Sequence, residues 1–195
     1  MNLPNKLTLL RTVLVPVFLL LLFLNMIPVH YTLALIVFAA ASITDALDGH
    51  IARKNNLVTN FGKFLDPLAD KVLVVSALIA FIELEIISSI PVIIIVAREF
   101  MVSGLRLLAA DSGKVVAAGF SGKLKTAFTM AAIIVILINL AISGDFNWFG
   151  IASADSFTQY ADTVIQILIW VSAALTVVSG CIYLKGYWNL IDSDK

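Results

Sequence analysis

The chain has one cysteine, Cys181, and two histidines, His30 and His50, among its 195 residues. A lone thiol excludes a disulfide framework and a cysteine-rich zinc site, and two imidazoles leave little for histidine chemistry. Any resident metal must be held by oxygen. Charge is scarce too, with Asp, Glu, Lys and Arg at 13% of the chain against about 25% in an average soluble domain. The 13 basic residues balance the 13 acidic ones, so no basic excess points to nucleic acid, and that class of partner is set aside. Internal repeats and low-complexity linkers are also lacking. Apolar residues fill the chain instead: 61% of it is hydrophobic, above the about 45–50% of soluble proteins. That composition excludes a soluble globular domain.

The apolar residues fall into long uncharged runs, and about 20 such residues span a bilayer. Thr12 to Thr44 carries no charged side chain over 33 residues, too long for one span, so two helices with a turn near residues 26–31, around Pro28, are expected. Further apolar runs lie between Lys71 and Glu83, from near Ile86 into Arg98 and Glu99, from Thr126 to Gly144, and from Thr163 to Leu184. The expected fold is all-α: a polytopic membrane protein of six transmembrane helices, with residues 1–195 forming one domain. Asn2-Leu3-Pro4-Asn5 suits a cap and first turn, with Pro4 early in a short segment along the membrane surface. A cleaved signal peptide ending near Ala39-Ala40-Ala41-Ser42 fits poorly, because the apolar stretch before it exceeds the about 7–15 residues of a signal core.

Basic residues are asymmetric across these runs. Lys6, Arg11, Arg53, Lys54, Lys63, Lys71, Arg98, Arg106, Lys114, Lys123, Lys125, Lys185 and Lys195 all fall to one side. The opposite segments, 26–31, 83–90 and 144–162, have no Lys or Arg, and the last two hold Glu83, Glu85, Asp145, Asp155 and Asp162. The excess of Lys and Arg in cytoplasmic loops then places both termini in the cytoplasm of a cell membrane. Trp148, Phe149, Tyr183, Tyr187 and Trp188 suit interfacial anchors at the two membrane surfaces.

Four aspartates gather on the cytoplasmic side. Asp45 and Asp48 are spaced i,i+3 at the end of the second helix, and Asp66 and Asp70 i,i+4 at the start of the third, so each pair shares a helical face. Gly62 before the third helix and Pro67 in its first turn mark where it begins. Four carboxylates facing one another across a hairpin cannot all stay ionised without counter-charge, so they must take up protons or a cation, and a divalent metal is the economical answer. An all-carboxylate donor set suits a hard ion such as Mg²⁺, Mn²⁺ or Ca²⁺. Two such ions about 3.5–4 Å apart can bridge a diphosphate, the arrangement of phosphoryl transfer. Arg53 can neutralise phosphate oxygens, and Gly49 leaves the backbone open to a nucleotide.

The stretch from Asp45 to Asp70 reads D-x2-D-G-x2-A-R-x8-G-x3-D-x3-D. It resembles the CDP-alcohol phosphatidyltransferases, whose signature it matches at every fixed position. That resemblance implies metal ligation by Asp45, Asp48 and Asp66 with two Mg²⁺ or Mn²⁺ ions. It makes Asp70 a further ligand and the general base, and it puts Asp48, Gly49 and Arg53 at the CDP moiety. It also implies attack of an alcohol hydroxyl on the β-phosphorus of CDP-diacylglycerol, release of CMP, and a homodimer.

The acceptor alcohol is sought in a second cluster. Arg98 and Glu99 fall midway along the fourth helix, at hydrocarbon depth, where charges need partners or a polar cavity. Ser103 and Arg106 follow Glu99 at i+4 and i+7, and Lys123 and Lys125 open the fifth helix. Arg98, Arg106, Lys123 and Lys125 together can bind an acceptor that already carries phosphate. The segments Asn2 to Arg11, Ala97 to Ala110 and Gly122 to Thr126 resemble those of family members that take glycerol-3-phosphate. By that resemblance Asn5, Thr8 and Arg11 help shape the nucleotide or lipid pocket. Within the family, phosphatidylglycerol or an inositol phosphate is the competing acceptor. Outside it, a divalent-cation or proton transporter is the competing class, although its acids would cross the membrane rather than gather at one face.

Overall fold

A computed structural model describes residues 3–24, 26–55, 60–111, 119–146 and 155–191, with side chains described for 9–24, 26–44, 71–107, 109, 119–145 and 160–186. Among these residues the protein is helices and short turns, with no strand. The helices are α1 (Leu3–Phe23), α2 (His30–Asn55), α3 (Asn60–Glu83), α4 (Ser89–Asp111), α5 (Phe120–Leu140) and α6 (Asp155–Ile191). A single π-helical turn, Ala141–Phe146, continues α5.

Each helix turns one stripe inward. On α1 the buried positions are Arg11, Val15, Phe18 and Leu22; on α2 they are Ala34, Phe38 and Ala41; on α3 they include Leu73, Ala77 and Ala80. Steps of four and three keep such residues on one face of a helix. α1 packs along both α2 and α3, α5 and α4 pack on α6, and α2 touches α5. The opposite faces stay apolar: Leu20, Ile36, Ile79, Ile93, Ile134, Ile167 and Val178 are all exposed. Helices apolar on every side suit a lipid surround, not water. Two of them, over Phe120–Asp145 and Tyr160–Gly186, are long and apolar enough to cross a bilayer. Among the described residues the fold is all-helical, and its apolar outer faces suit a membrane.

Hydroxyls join the last two spans. Thr129 on α5 and Ser172 on α6 lie 2.5 Å apart between their oxygens, both buried. Small polar residues at such seams let helices approach closely where no water competes.

Several boundaries differ from those the sequence suggests. The expected surface segment at the N-terminus is no separate element: Leu3 to Phe23 is one continuous helix with Pro16 inside it. α3 begins at Asn60, so Gly62 and Pro67 lie within it instead of marking its start. A proline there removes one bond to a carbonyl in the helix's polar first turn, where water can replace it. α4 starts at Ser89, not near Ile86, because residues 84–88 form the turn that ends α3. α6 is 37 residues long, about 55 Å at 1.5 Å per residue, and outreaches a hydrocarbon layer of about 30 Å at its ends.

Candidate functional site

The four aspartates lie on helices, Asp45 and Asp48 in α2 and Asp66 and Asp70 in α3. Their side chains, with those of Asn5, Thr8, Gly49 and Arg53, lie outside the described residues. Register still constrains them. Stepping on from Ala34, Phe38 and Ala41 by four and three reaches positions 45 and 48, and stepping back from Ala80, Ala77 and Leu73 reaches 70 and 66. Positions 45 and 48, and 66 and 70, thus keep the helical register of the described buried residues of α2 and α3. On α1 the stripe of Leu22, Phe18, Val15 and Arg11 continues to position 8. Arg11 is itself 1% exposed, which puts a buried cation on the helix that packs against both aspartate helices.

The second cluster joins α4, α5 and α6. Arg98 donates from Nη1 to Glu99 Oε1 at 3.0 Å and from Nη2 to Ser179 Oγ at 2.6 Å. Glu99 also pairs with Lys125, which is 4% exposed. A buried ammonium is tolerable only with such a partner. Arg106 Nη2 donates to the Tyr183 hydroxyl at 3.1 Å, and the backbone N–H of Gly119 donates to the same oxygen at 2.9 Å. The Arg98 and Arg106 guanidinium carbons lie 5.4 and 5.7 Å from the Tyr183 ring centroid, within the range of cation–π attraction. The Arg98, Arg106, Lys125 and Glu99 group carries a net charge of two positive units. An anion is the natural complement.

Two glycines make room for this packing. A methyl group at Gly122 would meet Arg98 Nη2 at 3.3 Å, and one at Gly180 would meet Arg98 Cγ at 3.4 Å. Arg98 therefore runs between the start of α5 and the face of α6.

A pocket of about 60 Å³ lies between α3, α4 and α5. Lys71, Glu99, Lys125, Thr126 and Thr129 supply its polar lining, and Val74 is part of its wall. Position 70 precedes Lys71 and lies one turn before Val74, so the pocket adjoins the aspartate turn of α3 on one side and the cation cluster on the other. At that size it holds a few waters, not a sugar phosphate.

Of the cations picked out for an acceptor, Arg98, Arg106 and Lys125 are brought together. Lys123 is exposed on α5 and takes no part in the described contacts of the cluster. Tyr183 is a correction: it is 4% exposed and buried against two arginines, not an interfacial anchor. Trp148, Phe149, Tyr187 and Trp188 lie outside the described side chains. The available signal was the buried series Ser172, Thr176, Ser179 and Tyr183, a hydroxyl stripe at steps of four, three and four along an otherwise apolar helix. Glu99 stands out in the sequence as a charge at hydrocarbon depth, but its bond to Lys125 depends on α4 and α5 lying side by side.

Residues 1–178 match the family model for CDP-alcohol phosphatidyltransferase. The chain belongs to that family. Over 205 aligned residues it is 40% identical to a protein of Bacillus subtilis (strain 168) named CDP-diacylglycerol–glycerol-3-phosphate 3-phosphatidyltransferase, covering 100% of this chain and 99% of that one. A relative of the same name from Rickettsia bellii is 40% identical, over 94% of each chain. One from Pseudomonas fluorescens is 34% identical, over 100% of this chain and 94% of its own.

Members of this family are generally dependent on divalent metal. The donor chemistry here fits: four carboxylates in two helical pairs form an oxygen-only set for a hard cation. Among the described residues no group of three or more His, Cys, Asp or Glu able to hold a metal occurs.

Proposed function

We propose that this family member transfers the phosphatidyl group of CDP-diacylglycerol to sn-glycerol-3-phosphate, giving phosphatidylglycerophosphate and CMP. The unbroken aspartate motif carries this reading, in a chain 40% identical from end to end to a relative named for that reaction. Residues 1–195 form one membrane domain whose six helices each cross the bilayer, with both termini and the site at the cytoplasmic face and two copies assembled as a homodimer. The distribution of Lys and Arg supports that orientation.

Asp45, Asp48, Asp66 and Asp70 would hold two Mg²⁺ or Mn²⁺ ions. When bound, these ions neutralise the diphosphate oxygens and stabilise charge developing on them. Asp48, Gly49 and Arg53 bind the CDP moiety, with Asn5 and Thr8 of α1 along its edge. Arg98 and Arg106 bind the acceptor's phosphate, with Lys123 and Lys125 adding positive charge at the start of α5. Asp70 accepts the proton of the acceptor hydroxyl as its oxygen bonds to the β-phosphorus. The bond from that phosphorus to the bridging oxygen breaks, and CMP departs with the electron pair. The position of residue 70 beside the pocket that Glu99 and Lys125 line supports its choice as base.

The test is CMP release by the purified protein in detergent with CDP-diacylglycerol and Mg²⁺ or Mn²⁺, with and without glycerol-3-phosphate. Release should require metal and both substrates and fall by at least 10³-fold in Asp70→Asn, as loss of a general base and metal ligand together implies. Release that depends on another alcohol would overturn the acceptor assignment while leaving the metal site in place.

A further inference from the structure

Tyr183 has a feature that substrate chemistry alone does not require. Its ring lies against two guanidinium groups of like charge, and its single oxygen accepts from both Arg106 and the Gly119 backbone. Arg98 and Arg106 are eight residues apart on α4, a rise of about 12 Å, yet both guanidinium groups come within 6 Å of one ring, which can compensate part of their mutual repulsion. The electron-rich ring does this from α6. Ser179, one turn before Tyr183 on the same helix, takes the far nitrogen of Arg98. The Gly119 bond ties the same tyrosine to the residue preceding α5, whose first turn carries Gly122 against Arg98.

We infer that Tyr183 is a positioning residue for the acceptor: it holds Arg98 and Arg106 as a two-pronged receptor for the phosphate of glycerol-3-phosphate and locks the start of α5 onto that receptor. The inference rests on the proposed role of the two arginines. Tyr183 touches neither the diphosphate nor the reacting atoms in this scheme. Its loss should therefore weaken acceptor binding and leave handling of CDP-diacylglycerol alone. Removing the hydroxyl withdraws the acceptor of two hydrogen bonds, one of them from a charged donor, while the ring still faces both cations.

Steady-state kinetics of Tyr183→Phe, Tyr183→Leu, Arg98→Gln and Arg106→Gln would be measured against each substrate separately, with thermal unfolding in parallel. Tyr183→Phe should raise KM for glycerol-3-phosphate about tenfold, change kcat less than threefold and leave KM for CDP-diacylglycerol within twofold. Tyr183→Leu, which also removes the ring, should raise the acceptor KM further. Each arginine variant should raise the acceptor KM by at least the same factor. If the arginine variants do so and Tyr183→Phe leaves the acceptor KM within twofold of the parent, the positioning role is wrong and the arginine assignment stands. A Tyr183→Phe protein in which both KM values rise together shows a general packing role and also overturns the inference. If neither arginine variant moves the acceptor KM, the acceptor site itself is misassigned and the role of Tyr183 falls with it.

Discussion

Glu99 sits between Arg98 and Lys125, with side chains 19%, 10% and 5% exposed, and each of the three is expensive to bury alone. Glu99→Gln leaves two cations sharing a neutral amide. It should cost about 3 kcal/mol of stability, read as a lower unfolding temperature in detergent. In the double variant Glu99→Gln with Lys125→Met the loss should be smaller than the sum of the two single losses, because the pair disappears as a unit. The same logic governs Asp145, which is buried at the far end of the bundle. It accepts from the N–H and hydroxyl of Thr32 at 2.6 Å each and from the Tyr31 N–H at 3.3 Å, so an acid from the end of α5 caps the first turn of α2. Gly144 beside it has no room for a side chain: a methyl group there would lie 2.5 Å from two carbons of the Tyr31 ring. That ring cannot easily yield, since it packs on His30 with centroids 3.9 Å apart. Gly144→Ala should therefore destabilise the protein by about 1–3 kcal/mol, again visible in thermal unfolding. None of these partnerships is local in sequence. An acid on an outer segment reads as a solvated charge until the helix it caps is placed beside it.

At the scale of elements, α3 ends in a motif that a better residue would improve. The N–H of Glu85 bonds the carbonyl of Ile82 at 2.9 Å, and that of Ile86 bonds Phe81 at 3.0 Å. This is the closure of a helix C-terminus through one left-handed residue, a position that usually holds glycine. Here Glu85 occupies it, with φ at 58°. Glu85→Gly should raise stability by about 0.5–1 kcal/mol and leave CMP release unchanged, because relief of the side-chain clash exceeds the added chain entropy of the unfolded state. Element existence was readable from the uncharged runs, and the turn around Pro28 lies where the sequence suggests. Helix ends were less readable. Hydrocarbon depth sets the length of an apolar run, whereas a helix continues into water for as long as its backbone bonds close, as α3 does through Pro67 and α6 does beyond Leu184.

For the molecule as a whole, the proposed orientation predicts opposite accessibility for its two ends. Met26, in the turn between α1 and α2, is 88% exposed, and Phe120, at the start of α5, is 80% exposed. With Cys181 replaced by serine, Met26→Cys in intact cells should react with a membrane-impermeant maleimide and Phe120→Cys should react only after lysis. The reverse pattern would invert the proposed topology. Composition and uncharged runs by themselves pointed to helices in lipid, and the spacing from Asp45 to Asp70 to an oxygen-only metal site and, through its resemblance to a known signature, to the family, because lipid tolerates few charges and a carboxylate motif is local to two helix ends. Only the tertiary structure decided how the cations are used: that Lys125 is held by Glu99, that Arg98 and Arg106 converge on Tyr183, and that Glu99 and Lys125 line a pocket with Lys71. Those facts depend on which faces of α4, α5 and α6 meet, and the near-uniform apolar faces of these helices leave that choice to packing and to a few buried polar bonds.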